Sequence, residues 1–136
     1  MRPTRSRDRI LGLFKSKEEK ARLSNLKNII SVSMADGELG EDELTIIALT
    51  AARDNISERD VEKMLKGKDR IKFTVPDTDE MKKRFLTDMV VLMMIDGRLG
   101  ERELRMCQNA ARLYGYGDEV VDDLVASIRQ DMEKDD

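Results

Sequence analysis

Along most of this chain, apolar residues recur three and four positions apart, the spacing that lines one face of an α-helix. The stripe Leu23, Leu26, Ile29, Ile30 and Val32 predicts a helix from a Ser16 cap to about Ala35, with Glu19 at capping-box distance from Ser16. Gly40 and Glu43 open a second helix, whose buried face reads as Leu44, Ile47, Ala48 and Ala51 and which stops at Asn55. Ser57 and Asp60 start a third, through Val61, Met64 and Leu65 to Gly67. Residues 66–78 read as a loop in which Ile71, Phe73 and Val75 alternate, an extended piece too isolated to build a sheet. Asp77 and Glu80 then cap a helix to Ile95 carrying Phe85, Leu86, Met89, Val90, Leu92, Met93 and Met94. Gly100 and Glu103 open the next, with Leu104, Cys107 and Ala111 inside, and Gly115 and Gly117 precede a last helix from Asp118 to about Met132.

The pattern occurs twice. Met34-Ala35-Asp36-Gly37-Glu38-Leu39-Gly40-Glu41-Asp42-Glu43-Leu44 returns 60 residues later as Met94-Ile95-Asp96-Gly97-Arg98-Leu99-Gly100-Glu101-Arg102-Glu103-Leu104, with eight of eleven positions identical. At the same offset Leu26 matches Leu86, Ile30 matches Val90, and Val61 matches Val121. The expectation is one all-α domain of six to seven helices spanning residues 1–136. It comprises a basic segment 1–15, repeat one at 17–67, a loop at 68–77 and repeat two at 78–132, the repeats packed about a pseudo-twofold axis. Each repeat reads as a long helix followed by two medium ones.

Composition narrows the chemistry. Three Phe, two Tyr and no Trp in 136 residues mean that the core must be aliphatic. A formal charge of −3 argues against a nucleic-acid partner. Residues 1–20 hold seven basic against three acidic side chains, and residues 117–136 hold eight acidic against two basic. The basic head, with Ile10, Leu11, Leu13 and Phe14, is a candidate for peripheral contact with an anionic membrane through residues 2–17. No apolar run approaches the roughly 18 residues of a membrane span, and Ile10 to Phe14 is too short for a signal-peptide core. The single cysteine, Cys107, allows no intrachain disulfide, fits a reducing cytoplasm and reads as a buried small hydrophobe. With no His, no nucleophile motif, no phosphate loop and no zinc signature, no enzymatic activity is expected.

The repeated motif, Asp-Gly-x-Leu-Gly-Glu-x-Glu, looks like the back half of a calcium-binding EF-hand loop. Its front half is missing: Val32 and Met34, or Leu92 and Met94, stand where oxygen ligands belong. Two readings remain. In the first, Asp-Gly shapes a turn, Leu fastens it to the core and Glu caps the next helix. In the second, Asp36, Glu38, Glu41 and Glu43 share a divalent cation such as calcium, magnesium or zinc, with water completing its shell, and the second copy keeps Asp96, Glu101 and Glu103; no other cofactor is expected. Arg98 and Arg102 would neutralise the second copy of such a pocket, and the structural reading is the default.

Helix, Asp-Gly turn, Leu, capping Glu and an Ala-containing helix, duplicated at this distance over roughly residues 17–130, resemble the TerB-like domain of tellurite-resistance proteins and DnaJ-type membrane co-chaperones. The resemblance implies an all-α accessory or interaction module in stress response, acting through a protein partner whose identity it does not give. It also implies metal binding through Asp36, Glu43, Asp96 and Glu103.

Overall fold

A computed structural model describes residues 16–94 and 99–134, apart from the side chain of Asp36. Its six α-helices are α1 (Lys17–Ser33), α2 (Glu41–Arg53), α3 (Glu58–Lys66), α4 (Asp79–Met93), α5 (Glu101–Leu113) and α6 (Asp118–Lys134). Among the described residues there is no strand, and no helix is long and apolar enough to cross a membrane. The predicted short helix before residue 15 and the second Asp-Gly corner at Asp96-Gly97 lie outside the described residues.

Local chemistry sets the helix ends. The Ser16, Ser57 and Thr78 hydroxyls accept the N–H groups of Glu19, Asp60 and Met81 at 3.1, 3.1 and 3.2 Å, each satisfying a donor that the first turn leaves free. The fourth helix is thus capped by Thr78, one residue after the predicted Asp77, because the hydroxyl at 78 reaches the third helical N–H. Past α1, a 3₁₀ turn (Met34–Asp36) runs into Gly37 at φ 106°, a conformation that side chains resist. Past α2 and α5, Asn55 and Gly115, 60 residues apart, are both left-handed (φ 58° and 91°). Ile56 N–H donates to the Ala51 carbonyl, and Tyr116 N–H to the Ala111 carbonyl, each at 2.8 Å, the six-to-one bond of a Schellman cap.

One aliphatic core joins the halves. Leu26, Ile29 and Ile30 of α1, Ile46 and Ile47 of α2, Leu86, Met89 and Val90 of α4, Met106 and Cys107 of α5, and Val121 of α6 are all buried in it. Beyond packing against its own neighbour, α1 contacts α5 while α2 contacts α4, so each half's long helix touches the other half's second helix. The third helices differ from the expected equal pair. Helix α3 has nine residues and none fully buried; α6 has 17 and packs on both α4 and α5.

The buried face of α2 is rotated from the predicted one: Ile47 and Ala51 are buried as expected, Leu44 and Ala48 are not. The face runs through Glu43, Ile46, Ile47, Thr50 and Ala51. The physical reason is the cap. Glu43 must turn back to the Gly40 N–H, and that places 43 on the inner side; residues three, four, seven and eight further on follow it. Hydropathy favours Leu44, but the carboxylate sets the rotation.

After α3 the chain makes a second 3₁₀ turn (Lys68–Arg70) and runs extended over 71–76 as a strap. Asn28, fully buried on α1, holds it. Its Nδ2 donates to the Thr74 carbonyl at 2.8 Å, and its Oδ1 accepts the Thr74 N–H at 2.8 Å. The same Nδ2 donates to the Tyr114 hydroxyl at 3.0 Å, and the Tyr114 ring meets Phe73 with centroids 5.1 Å apart. Asn28→Ala strands these groups, so a loss of about 2–4 kcal/mol is expected, a fall in Tm on the order of 10 °C. Amide exchange at Thr74 should accelerate well beyond that of α4. Unchanged protection of that amide in the variant would show that something else secures the strap.

Candidate functional site

The duplicated corners give the first place to look. Gly40 caps α2, and its N–H donates to Glu43 Oε1 at 2.8 Å. A Cβ at Gly40 would stand 2.8 Å from that oxygen, so glycine leaves room for the carboxylate to lie on the cap. In α5 the Glu103 carboxylate lies equally close on Gly100, where a Cβ would approach Oε2 to 2.5 Å. The corner-capping expectation holds for Glu43, whose bond to the Gly40 N–H closes a capping box; Glu103 shares the proximity without that bond.

Arg102 adds what neither copy shows alone. From the first turn of α5 its Nη1 stands 3.1 Å from Glu43 Oε1, and its Nη2 donates to the Glu38 carbonyl at 3.0 Å. Glu43 is only 2% exposed and Arg102 34%, so the carboxylate lies inside and the guanidinium at the rim. A buried carboxylate is tolerable because a backbone N–H and a cation both reach it. Arg102 is therefore a clamp between the two halves, and its charge reaches the first copy's Glu43, whereas the sequence sets it against the second copy's acids.

This geometry sorts the four candidate ligands. Glu43 is committed to its cap and to Arg102, and Glu103 lies against Gly100. Asp36 contributes its backbone to the 3₁₀ turn; its side chain, and all of Asp96, fall outside the described residues. Among the described residues no group of three or more carboxylate, thiol or imidazole side chains is placed to hold a cation. A metal at Glu43 would have to displace Arg102.

Cys107 is fully buried, with its Sγ 3.5 Å from Met93 Sδ. Burial, with a smaller contribution from the Glu103 charge, pushes its thiol up to about 12, so it presents no thiolate at neutral pH.

Two surface features were not legible as sites. The first is the outer face of α2. Leu44 is 41% and Leu49 38% exposed, with Ala48 and Ala52 exposed beside them, and no charged residue occurs from 44 to 52. The matching positions of α5, sixty residues on, are Leu104, Gln108, Asn109 and Arg112. A depression of about 300 Å³ between Leu39, Leu44 and Leu65, edged by Glu38 and Lys68, adjoins this face.

The second is a cleft of about 540 Å³ where α1, α3 and the strap meet. Lys27, Lys63, Arg70 and Lys72 surround it, Met64 and Ile71 line its floor, and no acidic residue contributes to it. The signal was present in the sequence: residues 63–72 carry five basic side chains against one acidic in an acidic chain. A neighbouring cleft at the start of α1 mixes Lys17 and Lys20 with Glu18 and Asp77 and has no such single sign. In comparisons with known proteins, no family model, no curated protein and no solved structure matches this chain.

The clamp predicts coupling. Arg102→Ala should cost about 2–4 kcal/mol, since it leaves a buried carboxylate without its cation. Glu43→Gln in the same chain should recover on the order of 1 kcal/mol or more in a double-mutant cycle by denaturant unfolding. Strictly additive costs would mean that the two side chains do not work as a pair.

Alkaline pH gives a second check. Burial pushes Cys107 and Tyr114 each up to about 12, from ordinary values of 9.0 and 10.0. The unfolded chain therefore releases these protons first, so stability is full below about pH 9 and falls as pH rises toward 12. Urea midpoints should drop between pH 9 and 11, and less steeply in Cys107→Ala; a flat profile would contradict the burial of both groups.

Proposed function

We propose that this chain is a non-catalytic interaction module of the TerB-like kind, serving a stress response of the tellurite type. In this reading it works by docking a basic amphipathic helix of a protein partner on the outer face of α2. The observation that carries the reading is the apolar surface of Leu44, Ala48, Leu49 and Ala52, left in water by a helix whose other side already fills the core. The sixty-residue comparison supports it: at the matching positions α5 keeps Leu104 but carries Gln108, Asn109 and Arg112 where α2 has Ala48, Leu49 and Ala52. A partner helix would set its own apolar stripe on this face and lodge a larger side chain between Leu39, Leu44 and Leu65.

Charge selects the kind of helix. Glu38, Glu41 and Asp42 are exposed at the N-terminal end of the face, so a partner with Lys or Arg beside its stripe is favoured there. The assignment to stress response rests on the resemblance of the duplicated corners.

A photo-crosslinking residue at Leu49, expressed in the source organism, tests the docking face. It should trap a protein whose crosslinked segment is a basic amphipathic helix, while the same probe at Asn109 should not. A synthetic peptide of that segment should bind at least about tenfold more weakly to Leu49→Asp, with the fold intact by circular dichroism. Equal trapping at 49 and 109, or trapping of a second copy of this chain alone, would overturn the proposal. Deleting the gene and finding unchanged tellurite tolerance would remove the stress assignment separately.

A further inference from the structure

The cleft between α1, α3 and the strap has a different chemistry from the α2 face and shares no lining residue with it. Its four cations come from three elements: Lys27 from α1, Lys63 from α3, and Arg70 and Lys72 from the 3₁₀ turn and strap. None of the four is paired with a carboxylate among the described residues, although the surface elsewhere carries such pairs. Asp69, the one acid within the run, is exposed and contributes nothing to the lining.

Four like charges around one hollow repel one another, so their convergence needs a cause. The fold supplies part of it. Asn28 fixes Thr74 at one end of the strap, and the turn bonds from Arg70 N–H to the Gly67 carbonyl at 2.9 Å and Ile71 N–H to the Lys68 carbonyl at 3.2 Å fix the other. Lys27 is the neighbour of Asn28 on α1 and Lys63 lies one turn before the end of α3, so the anchors of the strap are also those of the cleft.

We infer that this cleft binds a small phosphorylated organic molecule, a phosphate monoester with a compact apolar body. The charge calls for an anion carrying more than one negative charge. Arg70 offers the planar fork that matches phosphate oxygens, and the lysines add point charges around it. Met64 and Ile71, half-buried on the floor, give the organic part an apolar seat. The volume lies within the roughly 300–1,000 Å³ usual for small-molecule sites.

An extended polyanion fits less well. The chain holds 25 basic and 28 acidic side chains; with these four set aside, 21 basic face 28 acidic. Averaged over the whole chain, the charge beyond the cleft is net negative, which disfavours a polyanion long enough to run past Lys66 and Lys68, while a compact ligand stays among the four cations.

The test is titration of the isotope-labelled protein, followed by amide chemical shifts, with phenyl phosphate, inorganic phosphate and vesicles of phosphatidylserine and phosphatidylcholine. Phenyl phosphate should perturb residues 27 and 63–74 saturably at millimolar concentration or below, more tightly than inorganic phosphate, and the affinity should fall with added salt. Lys63→Ala/Lys72→Ala should weaken binding at least about tenfold, while Lys83→Ala, on α4, should not. Because all four cations are exposed, these variants should fold; an Arg70→Lys variant keeps the charge and should lose only the contribution of the fork. No saturable shift with phenyl phosphate, or equal binding by the double variant, would overturn the site. Phosphate binding as tight as phenyl phosphate would overturn the apolar seat, and vesicle binding without small-molecule binding would assign the patch to a membrane surface instead.

Discussion

The carboxamide of Asn28 is the interaction on which the rest of this arrangement turns. A buried amide must satisfy donors and acceptors at once, and here both ends are used on one residue of the strap, with the second amide hydrogen on Tyr114. The backbone of residues 71–76 has no strand beside it. Without Asn28 its polar groups would have no reason to lie against α1. With it, the strap closes over the α1–α5 contact, Phe73 meets Tyr114, and Ile71 and Lys72 face Lys27 and Lys63 across the cleft. A single hydrogen-bonded side chain thus joins core, connection and surface chemistry.

Glu43 and Arg102 do the corresponding work at the opposite corner. A capping glutamate serves one helix, but this one is buried deeply enough to need a cation, and Arg102 comes from the other half to supply it. That requirement ties the start of α5 to the first corner and explains why position 102 carries Arg where position 42 carries Asp. A pair buried on one side only adds less through net attraction than through the penalty for separating it, so its effect is to fix how the halves sit.

Much of this was legible from residue types. Helix ends marked by Ser57, Gly67 and Gly100 fall where the sequence puts them, because hydroxyl caps and glycine stops act within a few residues and need no tertiary partner. The all-α class followed from the same local signals. The rotation of α2 was not legible, since apolarity alone places Leu44 inward and cannot weigh a buried carboxylate against it. Nor was the role of Asn28: an asparagine within a helical stripe carries no mark of the chain 46 residues later that it will bind. The basic cleft lay in between. Its strap and α3 cations are visible as a run, but Lys27 joins them only in three dimensions.

The offset of sixty residues also locates the difference between the two halves. Asn28 corresponds to Asp88, and Tyr114 to Asp54. Where α1 crosses α5, the neutral pair Asn28–Tyr114 accepts a strap; where α4 crosses α2, Asp88 and Asp54 instead share Arg53, at 3.2 and 3.0 Å. Two acids bridged by an arginine satisfy one another and leave no amide to hold a passing backbone. Helix α6 has no such need, for Ser127 stands at the position of Gly67 and the helix runs on to Lys134 where the first half stops and turns. One crossing is an anchor and the other an ion bridge. The basic cleft lies at the anchored crossing, because there the chain leaves its helix and carries Arg70 and Lys72 back across α1. The asymmetry of the third helices and the location of the cleft therefore have the same origin.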